Sequence, residues 1–304
     1  MALAERTDPR LAAVDRVLHR TPSVAVGAFR CPRSHPLFAD SGPIENDVFV
    51  FPRTRVSIAH AGGRRFTADA TVVTLYNRGQ LYARGVIDDP GDHCDYFAVD
   101  RELALEVARA RNPDVADRPF RLDHAPSPAG LYLRQRALFE RLARGGALGD
   151  LEVDESVVGL LEDVLAAAGA GHDRAARDEG DEEDLVRRAR LVLGARLGHG
   201  LSLAAVARAV GVSRGRLCRV FRRRTGTTLH AYREQVRLRV ALEALATPRG
   251  DLTELALDLG YSSHSHFSAN FRRAFGLAPS DARGRLSAGG ARTARPRTRS
   301  RARS

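Results

Sequence analysis

The sequence predicts an α+β fold in which a β-rich N-terminal barrel with flanking helices precedes an all-α C-terminal domain. Short runs of β-branched and aromatic residues alternate with turn-forming Gly, Pro, Asn and Asp as far as about Val99. From Asp100 onward, apolar residues recur mostly at helical spacing. Because 43% of the 304 residues are hydrophobic, the chain can bury a core in each part, which excludes disorder of the whole chain.

The N-terminal region is expected to begin with a short helix within residues 1–20, where Leu11, Val14, Val17 and Leu18 lie at helical spacing. Closely spaced short strands follow, and they favour an antiparallel barrel or sandwich. The predicted strands are Val24–Phe29, Asp47–Phe51, Arg55–His60, Ala70–Tyr76, Gln80–Val86 and Tyr96–Val99.

Three amphipathic helices are predicted after the strands, at Arg101–Arg111, Ala129–Arg144 and Val153–Ala168. The last two can pack on the barrel or pair with a second subunit, so residues 1–168 are taken as one domain. Residues 169–184 are small, polar and acidic, which predicts an interdomain linker. Residues 185–286 form the helical domain, and residues 287–304, with six Arg and no acid, predict a disordered basic tail.

Charge is divided unevenly along the chain. The net charge is +11, yet residues 187–304 carry 25 arginines and six acids, a net +19, whereas residues 1–186 carry −8. This asymmetry predicts a polyanionic partner for the C-terminal part. All 48 basic residues are arginine, which excludes a lysine Schiff base and the lysine of a phosphate-binding loop.

The sequence predicts a cytoplasmic protein with no membrane partner. It has no apolar run of about 18 residues. The polar start, with Glu5, Arg6 and Asp8, is unlike a secretory signal. Three cysteines cannot form a disulfide framework, which agrees with a reducing compartment.

The C-terminal part contains an internal repeat with an offset of 49 to 50 residues. Each copy has an apolar helix with a small residue, a glycine that allows a tight turn, a capping serine, and a second helix with apolar residues four apart. The matched positions are Leu203, Ala207, Gly211, Ser213, Leu217, Phe221 and Gly226 in copy one, and Leu252, Ala256, Gly260, Ser262 (or Ser263), Phe267, Phe271 and Gly276 in copy two. This pattern predicts two helix-turn-helix units, each with an exposed second helix for a major groove.

A long helix is predicted between the copies, from Leu229 to Leu245, and Pro248, Arg249 and Gly250 stop it. A rigid link of this kind would hold the two units at a fixed separation. Because major grooves on one face of B-DNA recur about every 34 Å, both units could enter adjacent grooves of one site.

The stretch Leu203–Arg283 resembles the DNA-binding domain of the AraC/XylS family of bacterial transcription regulators. The matching pieces are Gly211-Val212-Ser213, Leu217 and Phe221, Thr225-Gly226, Tyr232, Arg237-Leu238 with Ala241, Leu255-Ala256, Gly260-Tyr261, Ser265-His266-Phe267, Phe271–Gly276, Pro279-Ser280 and Arg283. The resemblance covers about a third of the chain. It implies a DNA-binding domain of two helix-turn-helix units, binding to double-stranded promoter DNA, and contact with RNA polymerase.

The second helix of each unit supplies the candidate base-reading residues, which are Arg214, Arg216 and Arg219 in copy one and His264, Ser265 and Ser268 in copy two. An arginine can bond to O6 and N7 of guanine at once, so copy one should dominate base specificity. The candidate phosphate contacts are Arg222, Arg223, Arg224, Arg272 and Arg273 at the helix exits, with Arg237 and Arg239 on the linking helix. An internal salt bridge from Arg237 to Glu243 or Asp258 is the alternative for that residue.

The layout of the N-terminal part resembles the cupin-like sensor of the same family, which implies a small-molecule effector at the barrel mouth. A homodimer is also expected. The His-x-His pair of a metal-binding cupin is absent, which disfavours a metal-dependent oxygenase. No Gly-x-Ser-x-Gly motif is present either, and no metal, cofactor or catalytic residue is predicted.

Two clusters leave alternatives open. Cys31, His35, His93 and Cys94 could form a zinc site or a redox pair, or could be buried packing residues. Cys218, on the reading helix, could make DNA binding sensitive to thiol reagents. Two other functions remain: a regulator resembling a DNA-repair alkyltransferase that uses Cys31 or Cys94, and a nonspecific basic DNA-packing protein.

Overall fold

The structure is a computed structural model that describes residues 3, 8–39, 42–146, 148–175, 180–198, 201–246 and 251–287. Its N-terminal part is built on two antiparallel sheets, with strand orders β1-β2-β8-β3-β6-β9 and β5-β4-β7. The strands are β1 (Asp15–Arg20), β2 (Val24–Cys31), β3 (Asp47–Pro52), β4 (Val56–His60), β5 (Phe66–Ala68), β6 (Val72–Tyr76), β7 (Tyr82–Val86), β8 (Asp92–Val99) and β9 (His124–Pro126). With the helices that follow, they confirm the predicted α+β class.

Aromatic side chains of the larger sheet form its core. The rings of Phe49 on β3 and Phe97 on β8 stack at 5.2 Å, and Phe51 meets Phe97 edge-on at 5.7 Å. Phe49 pairs directly with Phe97 in the strand register, which places both rings on the same face of the sheet. All three side chains are fully buried.

The prediction that residues 1–20 form a helix through Leu11, Val14, Val17 and Leu18 is wrong. A 3-10 helix spans Pro9–Ala13, and the chain then enters β1, which pairs with β2 from Asp15 opposite Phe29 to Arg20 opposite Ala25. The helical spacing was misleading because Leu11 and Val14 are buried but Val17 is 48% exposed. Pairing along the open edge of β2 therefore decides the backbone conformation here.

Four helices accompany the sheets: α1 (Pro36–Ala39), α2 (Arg101–Arg111), α3 (Ala129–Ala143) and α4 (Asp150–Ala175). Asp100 caps α2 by accepting a hydrogen bond from the backbone N–H of Glu102. The helix α4 continues past the expected end of the domain at residue 168, and α5 (Gly180–Ala195) begins within the segment predicted as a linker. The middle of that segment, residues 176–179, and the predicted tail from residue 288 lie outside the described residues.

The C-terminal part continues with α6 (Leu203–Ala209), α7 (Arg214–Thr225), α8 (Leu229–Ala246), α9 (Leu252–Asp258), α10 (His264–Phe275) and α11 (Pro279–Ser287). The expected stop at 248–250 lies outside the described residues. The helix α5 packs with α6 and α7 in one core, to which Leu185, Leu193, Val206 and Phe221 belong. The linker segment thus leads directly into a helix of the C-terminal domain.

The helices α3 and α8 join the two parts of the molecule. Leu238, Leu242 and Leu245 of α8 share a continuous apolar core with Leu138 and Phe139 of α3. The linking helix is therefore packed against the N-terminal domain along its second half.

Candidate nucleic-acid interface

Copy one of the repeat forms a helix-turn-helix from α6 and α7. Gly211 in the turn has φ of 72°, a left-handed conformation that favours glycine. Ser213 caps α7 by accepting a hydrogen bond from the backbone N–H of Arg216 at 3.3 Å. Leu217 and Phe221 are fully buried beneath α7, so the opposite face of this helix remains open to solvent.

Copy two repeats the arrangement in α9 and α10. Gly260 has φ of 80°, and Ser263 accepts a hydrogen bond from the backbone N–H of His266 at 3.2 Å. Of the two capping serines that the sequence offered, Ser263 therefore caps the helix. Phe267 and Phe271 are fully buried, as Leu217 and Phe221 are in copy one.

The linking helix α8 contacts both units. Its Tyr232 meets Phe221 of copy one edge-on, with ring centroids 5.6 Å apart. Toward copy two, Glu234 accepts a hydrogen bond from the hydroxyl of Tyr261 at 2.7 Å, and burial together with this bond raises the pKa of Tyr261. Side chains of α8 thus position each reading helix.

The candidate base-reading arginines of copy one, Arg214, Arg216 and Arg219, are all exposed on α7. No side chain in the described part of the chain forms an ion pair or hydrogen bond with their guanidinium groups. Three unneutralised guanidinium groups on one short helix create a positive surface that a polyanion can approach. Cys218 is exposed on the same helix.

The candidates of copy two are held by local contacts. Ser268 Oγ lies 3.4 Å from Nε2 of His264, and Ser265 is exposed beside them. His266 lies 3.2 Å from Ser262 Oγ, and its ring packs edge-on against Tyr261 at 5.5 Å. None of these positions holds an arginine, so α10 carries less fixed positive charge than α7.

The candidate phosphate contacts differ in their exposure and in whether an acidic side chain already pairs with them. Arg222 and Arg272 are exposed at the helix ends, and Arg273 donates to Oδ1 of Asn270 at 2.9 Å. Arg223 and Arg224 instead form ion pairs across to α5, with Glu182 and Glu183 respectively. The Arg224 side chain is only 11% exposed. The repeat gave no sign of these pairs because both acids precede it in the sequence.

The linking-helix arginines are not surface groups, so the expectation that Arg237 and Arg239 contact phosphates is wrong. The guanidinium of Arg237 donates to the backbone carbonyls of Leu197 at 2.6 Å and Gly198 at 3.0 Å. Arg239 is 1% exposed and donates to the carbonyl of Ser127. Both arginines satisfy buried carbonyl groups, which fixes the linking helix in place.

Comparisons with known proteins agree with this geometry. A family model described as a helix-turn-helix domain matches residues 206–285. The regulatory protein SoxS of Salmonella typhimurium is 43% identical over 86 residues, which are 28% of this chain and 80% of SoxS. The chain belongs to the AraC/XylS family. The protein is accordingly a DNA-binding transcription regulator.

Other known proteins match a third or more of the chain. The ornithine utilization regulator of Pseudomonas aeruginosa is 39% identical over 102 residues, 34% of this chain and 30% of that protein. An AraC-type regulator structure from Chromobacterium violaceum has a TM-score of 0.35 at 28% identity, covering 37% of this chain and all of the other. ToxT from Vibrio cholerae has a TM-score of 0.34 at 12% identity, covering 88% and 99%. Family membership rests on the sequence match to SoxS.

The N-terminal domain of this AraC/XylS regulator contains a cavity of about 280 Å³ between its two sheets. Apolar residues such as Phe29, Val50 and Ile58 line most of it. Its polar wall holds an ion pair between Arg84 Nε and Asp92 at 2.7 Å, and both side chains are over nine-tenths buried. Burial raises the pKa of Asp92 against the lowering effect of Arg84.

Arg84 and Asp92 are not among the site residues that the sequence predicts. One signal was present in the sequence. Arg84 lies in the middle of a predicted strand, two residues after Tyr82, so both side chains point to the same face of the sheet. An arginine alternating with an aromatic residue inside a barrel strand indicates a charged group facing the interior.

The structure does not support a zinc site built from Cys31, His35, His93 and Cys94, or an alkyl-accepting thiol at Cys31 or Cys94. The redox pair of Cys31 and Cys94 stays a prediction, and the exposure of Cys218 agrees with sensitivity of DNA binding to thiol reagents. Cys31 and Cys94 are buried in one apolar cluster, whereas His93 is adjacent to Cys94 on β8 and so points to the opposite face. Among the described residues, no three His, Cys, Asp or Glu side chains lie close enough together to hold a metal ion. Burial raises the pKa of both thiols, which disfavours the reactive thiolate that an alkyl acceptor needs.

In the described part of the chain, no helix is long and apolar enough to cross a membrane.

Proposed function

We propose that this regulator recognises promoter DNA by placing α7 and α10 in adjacent major grooves, with base specificity concentrated on α7. The observation that carries the proposal is the solvent-facing row of Arg214, Arg216 and Arg219, whose charges no described acid neutralises. Bidentate arginine–guanine pairs each contribute about 1–3 kcal/mol of discrimination between bases. On α10, His264, Ser265 and Ser268 add weaker base or phosphate contacts.

Phosphate contacts are assigned to Arg222, Arg272 and Arg273, which are exposed at the ends of the reading helices. Arg223 can also reach DNA because its side chain is 66% exposed despite its pair with Glu182. Arg224 has the weakest claim, since it is largely buried against Glu183. These contacts determine affinity and its dependence on salt, but carry no sequence information.

The test is selection of bound fragments from random DNA by the wild-type chain and by Arg216→Ala. The variant should lose a preferred guanine at one position of each selected site. Arg222→Ala is the matched control on the same helix: it should weaken binding to all sequences alike and reduce the salt slope by about one. An unchanged base preference with Arg216→Ala would contradict the assigned reading role.

The N-terminal domain, residues 1–168, is proposed to be a sensor and a dimerisation domain, and residues 185–286 the DNA-binding domain. The cavity between the sheets can hold a small molecule whose polar group meets Arg84 and Asp92 and whose remainder is apolar. Effector binding would shift the population between forms of different DNA affinity. A broad metabolite screen that leaves DNA affinity unchanged would count against this role.

The cellular role follows from the same reasoning. We propose that the protein acts in the cytoplasm as a homodimer, contacts RNA polymerase at its promoter and catalyses no reaction. Sedimentation of the purified chain measures the oligomeric state. Transcription in vitro with and without the protein tests the effect on RNA polymerase.

A further inference from the structure

The two helix-turn-helix units contact each other directly, beside the linking helix that joins them. Residues 196–198, which follow α5, lie against the turn of copy two. An added Cβ at Gly260 in that turn would meet the carbonyl carbon of Gly198 at 2.8 Å, and an added Cβ at Gly198 would lie 3.6 Å from the carbonyl oxygen of Asp258. Because α5 and Leu197 pack in the core of copy one, this interunit contact connects copy one to copy two.

Arg237 of α8 lies at the centre of the interunit contact and is 9% exposed. On the side of copy one, its guanidinium donates to the carbonyls of Leu197 at 2.6 Å and Gly198 at 3.0 Å. On the side of copy two, it lies 5.7 Å from the ring centre of Tyr261. Its Nη2 would also be 2.6 Å from a Cβ at Gly260. One planar cation therefore packs against both units.

Glu234, one helical turn before Arg237, completes the interunit contact. Its Oε1 accepts the hydrogen bond from the hydroxyl of Tyr261 at 2.7 Å, and its Oε2 lies 3.9 Å from Nη1 of Arg237. Tyr261 is 1% exposed, so this bond is shielded from water. Hydrogen bonds of guanidinium and carboxylate groups depend on direction as well as distance, so a slide or rotation of one unit against the other would weaken them. The contact thus resists changes in the separation and angle of α7 and α10.

The separation and angle of the two reading helices decide which spacing of half-sites on DNA they can contact together. One base pair inserted between the half-sites moves the second by about 3.4 Å along the duplex and turns it by about 35°. Either the protein or the DNA must then deform to restore both contacts, and that deformation costs free energy. A pair of units held by directional bonds should therefore discriminate strongly between spacings.

We propose that Arg237 is a positioning residue that determines which half-site spacing this regulator accepts. The inference rests on the proposed binding of α7 and α10 in adjacent grooves, and it adds a determinant of spacing that does not touch DNA. The bonds of Arg237 go to carbonyl groups inside the protein, so the base preference within each half-site stays with the exposed side chains of α7 and α10.

The experiment uses the full chain and the DNA site that the wild type selects from random fragments. Affinity is measured by fluorescence anisotropy at one salt concentration, on that site and on versions with one base pair added or removed between the half-sites. The wild type should bind the altered spacings at least about 30-fold more weakly, as expected for loss of two or more base contacts of one reading helix. Arg237→Met keeps an unbranched apolar stem but no donor, and its discrimination should fall below about 5-fold.

Arg233→Met is the matched control. Arg233, one turn earlier on α8, donates to the carbonyls of Arg196 at 3.0 Å and Leu197 at 3.3 Å. Among the described residues, none of its hydrogen bonds reaches copy two. The substitution therefore removes a similar set of bonds to the same segment and should leave the 30-fold discrimination of the wild type unchanged.

A second variant decides the matter if circular dichroism shows that Arg237→Met is unfolded. Tyr261→Phe removes only the hydroxyl that bonds to Glu234 and keeps the buried ring, so its discrimination should lie between those of the wild type and Arg237→Met. In every folded variant, selection from random DNA should return the wild-type bases within each half-site. This readout separates a change in spacing from a general loss of binding.

Three outcomes would overturn the inference and leave the two-groove proposal standing. The first is wild-type discrimination in both Tyr261→Phe and a folded Arg237→Met. The second is a drop in affinity that is equal for all spacings, which a merely structural role would give. The third is an equal loss of discrimination in Arg233→Met. A wild-type chain that selects no two-part site would contradict the two-groove proposal and this inference together.

Discussion

Replacing Glu243 with alanine should weaken the contact between the linking helix and the sensor domain. Glu243, on α8, accepts a hydrogen bond from the hydroxyl of Tyr132 at 2.7 Å and forms ion pairs with Arg136, at 3.0 Å, and with Arg53. Arg136 is 1% exposed, and its other partners include Asp95 at 2.9 Å. The carboxylate of Glu243 is thus the one charge that the DNA-binding domain contributes to this cluster among the described residues.

The expected loss of stability follows from the burial of the partners. Removing one member of a buried ion pair costs about 3–5 kcal/mol because the other charge is left uncompensated. Two features favour the lower end of that range: Glu243 is 21% exposed, and Asp95 still pairs with both Arg53 and Arg136. We therefore expect Glu243→Ala to lower the free energy of unfolding by about 3 kcal/mol.

Urea unfolding followed by far-UV circular dichroism measures this loss. Glu254→Ala, on the exposed face of α9, is the matched control and should change the stability by less than about 0.5 kcal/mol. Glu243→Gln keeps an acceptor for Tyr132 but removes the charge. Its decrease in the free energy of unfolding should therefore be larger than that of Glu254→Ala and smaller than that of Glu243→Ala. If Glu243→Ala unfolds within error of Glu254→Ala, the cluster does not stabilise the domain contact and the reasoning is refuted.

Two further predictions concern pH and backbone geometry. The folded-state pKa of His124 is lowered to about 4, below its ordinary value near 6.5, by burial and Arg190. The neutral ring of His124 stabilises the fold above about pH 6.5, and up to about 3 kcal/mol of this stability is lost as the pH falls toward 4. In a plot of the urea unfolding midpoint against pH, His124→Asn should flatten this range. At Gly260, with φ of 80°, an added Cβ would meet Nη2 of Arg237 at 2.6 Å and the carbonyl carbon of Gly198 at 2.8 Å. Gly260→Ala should therefore cost about 2 kcal/mol or more, seen as a lower Tm, and an unchanged Tm would contradict the close packing.

The features that the sequence predicted well are those determined by neighbouring residues. The helix Arg101–Arg111 has the predicted bounds, and the two glycines at Gly211 and Gly260 have the positive φ that a tight turn needs. In each reading helix the apolar pair and the capping serine lie within nine residues of each other. Such local patterns determine turns, caps and the buried face of a helix with little help from the rest of the chain.

The features that the sequence did not predict depend on distant partners. The strand β1 forms because β2 offers an open edge, although its own residues are spaced like a helix. The sequence did not indicate the partners of Arg224 and Arg237, each of which lies in a basic stretch. Glu183 neutralises the first, and carbonyl groups near Gly198 accept hydrogen bonds from the second, and no spacing rule connects those positions.

The linking helix does more than separate the two reading helices. Its N-terminal half, with Tyr232 and Val236, belongs to the core of copy one, whereas Leu242 and Leu245 belong to the core that copy two shares with the sensor. A shift of the sensor would therefore reach copy two through this shared core, and copy one through the hydrogen bond that Tyr232 donates to Asp69. Because the sensor contacts both halves of α8, such a shift would change the spacing of α7 and α10 and leave unchanged the side chains that either helix exposes. Regulation by this route changes affinity for the whole two-groove site without changing which guanines are preferred.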